Sequence, residues 1–361
     1  MLSGRPHGKG ESMHQRRTRT VDALRMEDVA ALAGVSPMTV SRTLRDPGSV
    51  SKAMRDRVQA AVNDMGYVPN RLAGSLASQR SHVVGLIVPG LGDSLYAGMA
   101  QAIEGVLSEH GLYLLIAASH HDPATEEAAI AAFLAQRVCG LILHSTRHTD
   151  RAKILVQAAA VPTVEIGRLT QTPLDLCVSY SGFAAAKAMV MHLGGLGYRR
   201  IGFVSLPLRN NERSVERRRG YLAGLRELGL TALPNLMVEA SPGFAGGVDA
   251  VVRLVQRDPA IDAIFFAADV MAVGALFECQ RRGWAVPGQI AIASFDDVDL
   301  LSHVVPTITS LRIPREEIGR RSAAMVVSRL NGTFSGPRII DLKFDVMTRE
   351  STTRAGGDIA P

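Results

Sequence analysis

Cysteine is scarce: Cys139, Cys177 and Cys279 are the only three in 361 residues. Odd in number, far apart and each within an apolar segment, they read as buried free thiols; without a CxxC or a Cys/His pairing they leave no metal site. No stretch approaches the roughly 18 consecutive apolar residues of a membrane span. The opening MLSGRPHGKGESMHQRRTRT has no apolar signal core, so a cytoplasmic location is expected. The P-loop, GxSxG and HExxH signatures are missing as well. Gly194-Gly195-Leu196-Gly197, followed by Tyr198 and a strand, reads as a helix ending, and His120-His121-Asp122 reads as loop rather than metal ligand. Nothing in these patterns implies an enzyme or a cofactor.

What is present is a charge asymmetry. The chain carries a net +6, and residues 1–80, with 13 Lys and Arg against 7 Asp and Glu, account for all of it. The remainder, with 27 residues of each sign, is neutral. A phosphate backbone binds whichever surface concentrates positive charge, because counterions are released when it does. A basic tail without a role would explain Arg16, Arg17 and Arg19, but Arg42, Lys52, Arg55, Arg57 and Arg71 lie on or beside expected helices. At 361 residues and 47% hydrophobic content, a soluble protein of more than one domain is expected.

The chain is organised around MEDVAALAGVSPMTVSRTLR at 26–45. Val29, Ala30 and Ala33 recur at helical spacing up to Gly34, which tolerates the positive φ of a tight turn. Ser36 has the hydroxyl of an N-cap and Pro37 suits the first helical position, so a second helix begins there. Its Val40 and Leu44 face the first helix, while Met38, Thr39, Ser41, Arg42 and Arg45 face outward or sideways. Two short helices about a glycine turn form a helix-turn-helix, although a plain helical hairpin has the same spacing. Ser51 caps a third helix with Met54, Val58, Ala61, Val62 and Met65 on one side, and Gly66 stops it. A turn then leads to a short segment at 70–77, too brief to hold a helix unaided.

DVAALAGVSPMTVSR followed by VSKAMRDRVQAAVNDMGYVPNRLAGSLAS closely resembles the N-terminal module of the LacI family of bacterial transcriptional regulators. The resemblance implies double-stranded DNA as a partner. It makes 70–77 a hinge helix that orders when two subunits pair on DNA, with Leu76 as the wedge that opens a base step in the minor groove. Arg42, outward on the second helix, is placed to read guanine O6 and N7, and Met38 offers apolar contact to a base edge, beside Pro37 at the head of the same helix. Thr39 and Ser41, and Asn70 and Arg71 nearer the hinge, are expected at phosphates.

From residue 83 the pattern changes. Apolar runs VVGLIV, YLLIAA, GLILH, PTVEI, RIGFV, LMVE, AIFFA and IAIASF alternate with helical stretches, the mark of parallel strands covered on both faces. Two open sheets with a cleft at the carboxyl ends of their strands are expected. RIGFVSLP, RRRGYLAGL, AADVMAVGAL and VPGQIAIASFDD, in that order, resemble the family's effector domain. The implied fold is therefore a small all-α helix-turn-helix head plus an α/β periplasmic-binding-protein-like effector domain of two doubly wound lobes. The expected divisions are a disordered basic tail at 1–24, the head at 25–69, hinge and linker at 70–81, the body at 82–350 and a tail at 351–361. Within the body, 82–180 and a return helix near 314–330 would build the first lobe, and 181–308 with RIIDLKFD the second.

The same resemblance places an effector site. Arg217, beside Arg218 and Arg219, matches an arginine pointed into the cleft from the start of a helix, suited to a carboxylate or hydroxyl. Asp296 in SFDD matches an acid that accepts from sugar hydroxyls, against the alternative of a helix cap or turn acid. Tyr96 and Leu95 fall where relatives have an apolar wall, and Asp269 where relatives cap a helix. Ala268 departs from the asparagine of many sugar-binding members. Within the family the closest likeness is to the gluconate-utilisation repressors, which implies a sugar or sugar-acid effector. The partners implied are a near-palindromic operator, this effector and a second copy of the chain, or a tetramer built from it, with no membrane. A solute-binding protein of a sugar transporter would share the two-lobed fold, but the helix-turn-helix and the absent signal segment argue against it.

Overall fold

The computed structural model describes residues 24–68, 81–91 and 94–353. Asn70, Arg71 and Leu76, with the expected hinge helix, lie outside the described residues, as do the side chains of Leu95 and Asp269. The described chain falls into two units, 24–68 and 81–353.

The first unit has three helices, α1 (Met26–Ala33), α2 (Pro37–Arg45) and α3 (Lys52–Met65). Gly34, at φ 62°, ends α1, and the Val35 N–H closes back on Ala30 O at 3.0 Å, satisfying a carbonyl the helix leaves open. Ser36 Oγ then accepts from the Thr39 N–H at 3.2 Å and Ser51 Oγ from the Met54 N–H at 3.3 Å, so both expected caps are in place. Val29, Val40 and Val58 are wholly buried, each contributing about 1.5–3 kcal/mol, and Ala30, Ala33, Ala61, Val62 and Tyr67 complete a small core. Thr43 is buried too, its hydroxyl donating to Thr39 O at 2.8 Å, while Leu44 is half-buried.

The second unit contains two six-stranded sheets. One is built from β1 (Val83–Val88), β2 (Tyr113–Ala118), β3 (Gly140–Leu143), β4 (Thr163–Glu165) and β5 (Leu176–Ser179), interleaved with α4 (Ser94–Glu109), α5 (Pro123–Ala135) and α6 (Asp150–Ala159). The chain then crosses to a second lobe: α7 (Gly182–Gly195), β6 (Ile201–Ser205), α8 (Glu212–Glu227), β7 (Met237–Glu239), α9 (Phe244–Arg257), β8 (Ala263–Phe266), α10 (Asp269–Arg282), β9 (Ala291–Phe295) and β10 (Thr309–Arg312). It returns as α11 (Arg315–Leu330), packed on α4, and β11 (Ile339–Asp341), and crosses once more for β12 (Asp345–Met347). The strand orders are β11-β5-β4-β3-β1-β2 and β12-β10-β9-β8-β6-β7, parallel throughout except for β12 on β10.

Several expectations need correction. RIIDLKFD does not close the second lobe as one strand: Ile339 pairs with Cys177 and Asp341 with Ser179 in the first sheet, and only β12, beginning at the last residue of that run, joins the second. YLLIAA is apolar yet not covered; as the edge strand β2 it leaves Tyr113, Leu115 and Ile116 exposed. Packing also passes the expected boundary at 350, since Ser351 and Thr352 are wholly buried, with Ser351 Oγ donating to Ile292 O at 2.6 Å. The three cysteines are buried and in no disulfide among the described residues, and burial pushes the Cys177 thiol up to about 11 and that of Cys279 to about 12.

Candidate functional site

On the head, the core contacts of α2 turn its other side to solvent. Pro37, Met38 and Arg42 are exposed, Met38 by 73%, while Thr39 and Ser41 are half-buried. Thr39 is partly committed to the turn, its hydroxyl 2.9 Å from Ser36 Oγ. Arg42 makes no ion pair or side-chain hydrogen bond among the described residues, so its guanidinium is available to a ligand. On α3, Lys52 and Arg57 are exposed, whereas Arg55 Nη1 is used on Pro47 O at 3.0 Å.

In the body, the carboxyl ends of the strands bring two expected residues together. Asp296 follows β9 directly and is buried at a left-handed φ of 81°, a strained backbone for a residue other than glycine. Arg217 is the buried member of its arginine triplet; α8 starts earlier than its sequence pattern suggested, so Arg217 lies in the second turn rather than at the start. Its Nη1 donates to Ala267 O at 2.6 Å and lies 3.4 Å from Asp296 Oδ2, Nη2 donates to Tyr180 Oη at 3.0 Å, and the guanidinium stacks 3.5 Å above the Phe295 ring. Burial acts to lower its pKa, but the Tyr180 and Asp296 oxygens outweigh it and the net shift is upward, so the group stays charged. Its Nε is buried with no hydrogen-bond partner.

A cavity between the lobes is lined by Asp296, Tyr180, His144, Arg213 and Arg315, with Met99, Ile166, Ile313 and Ile318 as apolar wall. Arg315 opens α11, and both its Nε and Nη2 are buried without partners. Tyr96 sits just behind: its Oη accepts from Arg213 Nη2 at 2.7 Å and its ring meets that of His144 edge-on at 5.0 Å. Burial, then Arg213, holds His144 well below the usual imidazole range, so it is neutral and able both to donate and to accept. Gly167 permits this approach, because a Cβ there would overlap the His144 carbonyl oxygen.

Arg213, Arg315, His144 and Tyr180 were not found by sequence reasoning. Arg315 did leave a signal: a cation in the first turn of a helix opposes the dipole, which favours acids there, as Glu316 and Glu317 beside it illustrate.

An exposed recognition helix on a three-helix head, joined in one chain to a two-lobed body with a polar cleft, defines a ligand-responsive DNA-binding regulator. Residues 25–70 match the bacterial regulatory proteins of the lacI family, and 190–352 match a periplasmic binding protein-like domain. The HTH-type transcriptional regulator GntR of Escherichia coli (strain K12) is 34% identical over 319 residues, spanning 88% of this chain and 96% of the relative. A crystal structure of a LacI-family transcriptional regulator from Silicibacter pomeroyi superposes with a TM-score of 0.86 at 31% identity, covering 92% of this chain and all of that one. The complex of the transcriptional regulator CelR with cellobiose is similar at a TM-score of 0.67 and 30% identity, over 91% of this chain and 99% of the other. The chain belongs to the LacI family of bacterial transcriptional regulators. The transporter solute-binding alternative falls with this, since the regulators match across head and body alike. No helix among the described residues is long and apolar enough to cross a membrane.

Proposed function

We propose that this protein is a non-enzymatic, cytoplasmic repressor whose hold on a near-palindromic operator is set by a sugar acid, gluconate or a close relative, bound between the lobes. The observation that carries the effector class is the pair of unpaired buried guanidinium nitrogens, Nε and Nη2 of Arg315, with Arg213 in the same cavity wall and Arg217 just behind it on Tyr180. A carboxylate supplies the acceptors these donors need, and charge-assisted bonds to it are about twice as strong as neutral ones. A neutral sugar would leave the positive charge uncompensated. Tyr180, His144 and Asp296 then serve the hydroxyls, with Tyr96 backing the wall.

At the operator, Arg42 reads guanine, Met38 with Pro37 touches apolar base edges, and Thr39, Ser41, Asn70 and Arg71 hold phosphates, while Leu76 wedges a base step. Two copies are needed to span two half-sites, and the exposed apolar edge of β2 suits pairing with a second copy. An effector that prefers one setting of the lobes biases whether two hinge segments order together on DNA, a coupling of about 1–3 kcal/mol.

Operator binding by the full-length protein, followed by fluorescence anisotropy on its own upstream DNA, tests this. D-gluconate should shift the midpoint by roughly 5- to 150-fold, and Arg315→Ala should abolish the shift. A shift produced by neutral sugars and not by any aldonate would overturn the effector class.

A further inference from the structure

A second cavity adjoins the arginine site and shares His144 and Arg213 with it; Ser119, His121, Glu126 and Thr146 are among its other walls. Glu126, on α5, is 1% exposed. Its Oε2 accepts from His148 Nδ1 at 2.8 Å, and His148 Nε2 reaches Glu165 Oε1 at 3.3 Å. Glu165 Oε2 accepts from the Leu174 N–H at 2.6 Å. Three of the four carboxylate oxygens in this buried cluster are thus engaged, and the fourth, Glu126 Oε1, has no partner. Leaving a charged acceptor dry and unmatched is unfavourable, and a purely structural ion pair would be served as well by apolar side chains of the same volume.

We propose that Glu126 reads a hydroxyl: Oε1 accepts from an O–H toward the far end of a linear polyhydroxy acid whose carboxylate lies between Arg213 and Arg315. This rests on the sugar-acid reading above and extends it to chain length. A metal ion does not suit the place, since no group of three His, Cys, Asp or Glu among the described residues is arranged to hold one. A cationic ligand would face Arg147, Arg168 and Arg213, only partly offset by Asp122 and Glu212 in the same lining. A neutral donor meets neither obstacle. The carboxylate is held in position for it: burial alone would lower the His148 pKa, but its two carboxylate partners raise it to about 9, so both ring nitrogens donate and fix Glu126 at neutral pH. Other parts of the wall are preset as well, with His121 and Asn210 held at left-handed φ of 58° and 55°.

Calorimetry of the full-length protein with D-glycerate, D-erythronate and D-gluconate, of three, four and six carbons, tests the proposal. Affinity should rise along the series, by about 10- to 100-fold from first to last. In Glu126→Gln, checked for folding by its thermal transition, the rise should vanish while glycerate affinity is kept; Glu126→Asp serves if the first variant does not fold. Equal affinities across the series in the native protein, or a folded variant that keeps the full rise, would overturn the role of Glu126 and leave the arginine site standing. If no acid binds at all, the arginine reading fails and this inference with it.

Discussion

A guanidinium at the first position of a helix, half out of water and short of acceptors, works against its own fold. Arg315 is in that position, and its unmatched Nε and Nη2 make the fold less stable than it could be. Arg315→Met, which keeps the stem and removes the donors, should therefore raise the thermal stability of the free protein, by about 1 kcal/mol, while removing the stabilisation that D-gluconate gives the native chain. Differential scanning fluorimetry with and without D-gluconate reads both effects, and a variant that is both less stable and still stabilised by the acid would contradict the assignment. On the head, Arg42→Ala should weaken operator binding by about 1–3 kcal/mol and binding to random duplex far less. An equal loss on both, in anisotropy titrations at fixed salt, would move Arg42 to a phosphate. Arg217 and Asp296 were legible in the sequence because each sits in a motif beside an apolar run. The Glu126–His148–Glu165 cluster was not, since its members lie 22 and 17 residues apart on separate elements and meet only when the sheet forms.

At the scale of elements, the helix-turn-helix was readable nearly to the residue because every signal in it is local: Gly34 ends one helix, Ser36 and Pro37 start the next, and Ser51 and Gly66 bound the third. The alternation of strand and helix in the body was equally plain. What an apolar run does not reveal is its neighbours. YLLIAA reads as an interior strand but has a partner on one side only, and RIID reads as the closure of the second lobe but pairs with β5 in the first. Strand pairing between segments far apart in sequence is set by which edge remains open, and that is not written locally. The open edge of β2 carries a prediction: Ile116→Asp, at a position 38% exposed, should leave the monomer folded and weaken self-association, as sedimentation velocity would register. An unchanged dimer would place the contact elsewhere.

For the whole molecule, two histidines, buried His148 and half-buried His121, set a pH window. His148 has a pKa raised to about 9, so its contribution is complete below the ordinary 6.5 and is lost as pH rises through 9. His121, lowered to about 4 by burial and then by Arg213, works the other way: its contribution is complete above 6.5 and is lost as pH falls toward 4. Thermal stability should therefore peak near pH 6.5, and His148→Gln should flatten the alkaline side without touching the acid side. A native profile level from pH 6.5 to 9.5 would mean that His148 is not held as the imidazolium.

The last fifty residues visit both lobes in turn, α11 and β11 in one and β12 in the other. Neither half is consequently a continuous stretch of gene. A message cut short before the codon for Ile339 strips the outer strand from both sheets, and one cut between Asp341 and Asp345 strips it from the second alone, so premature termination can spare the first sheet at most, and neither lobe can be inherited or exchanged as a single segment.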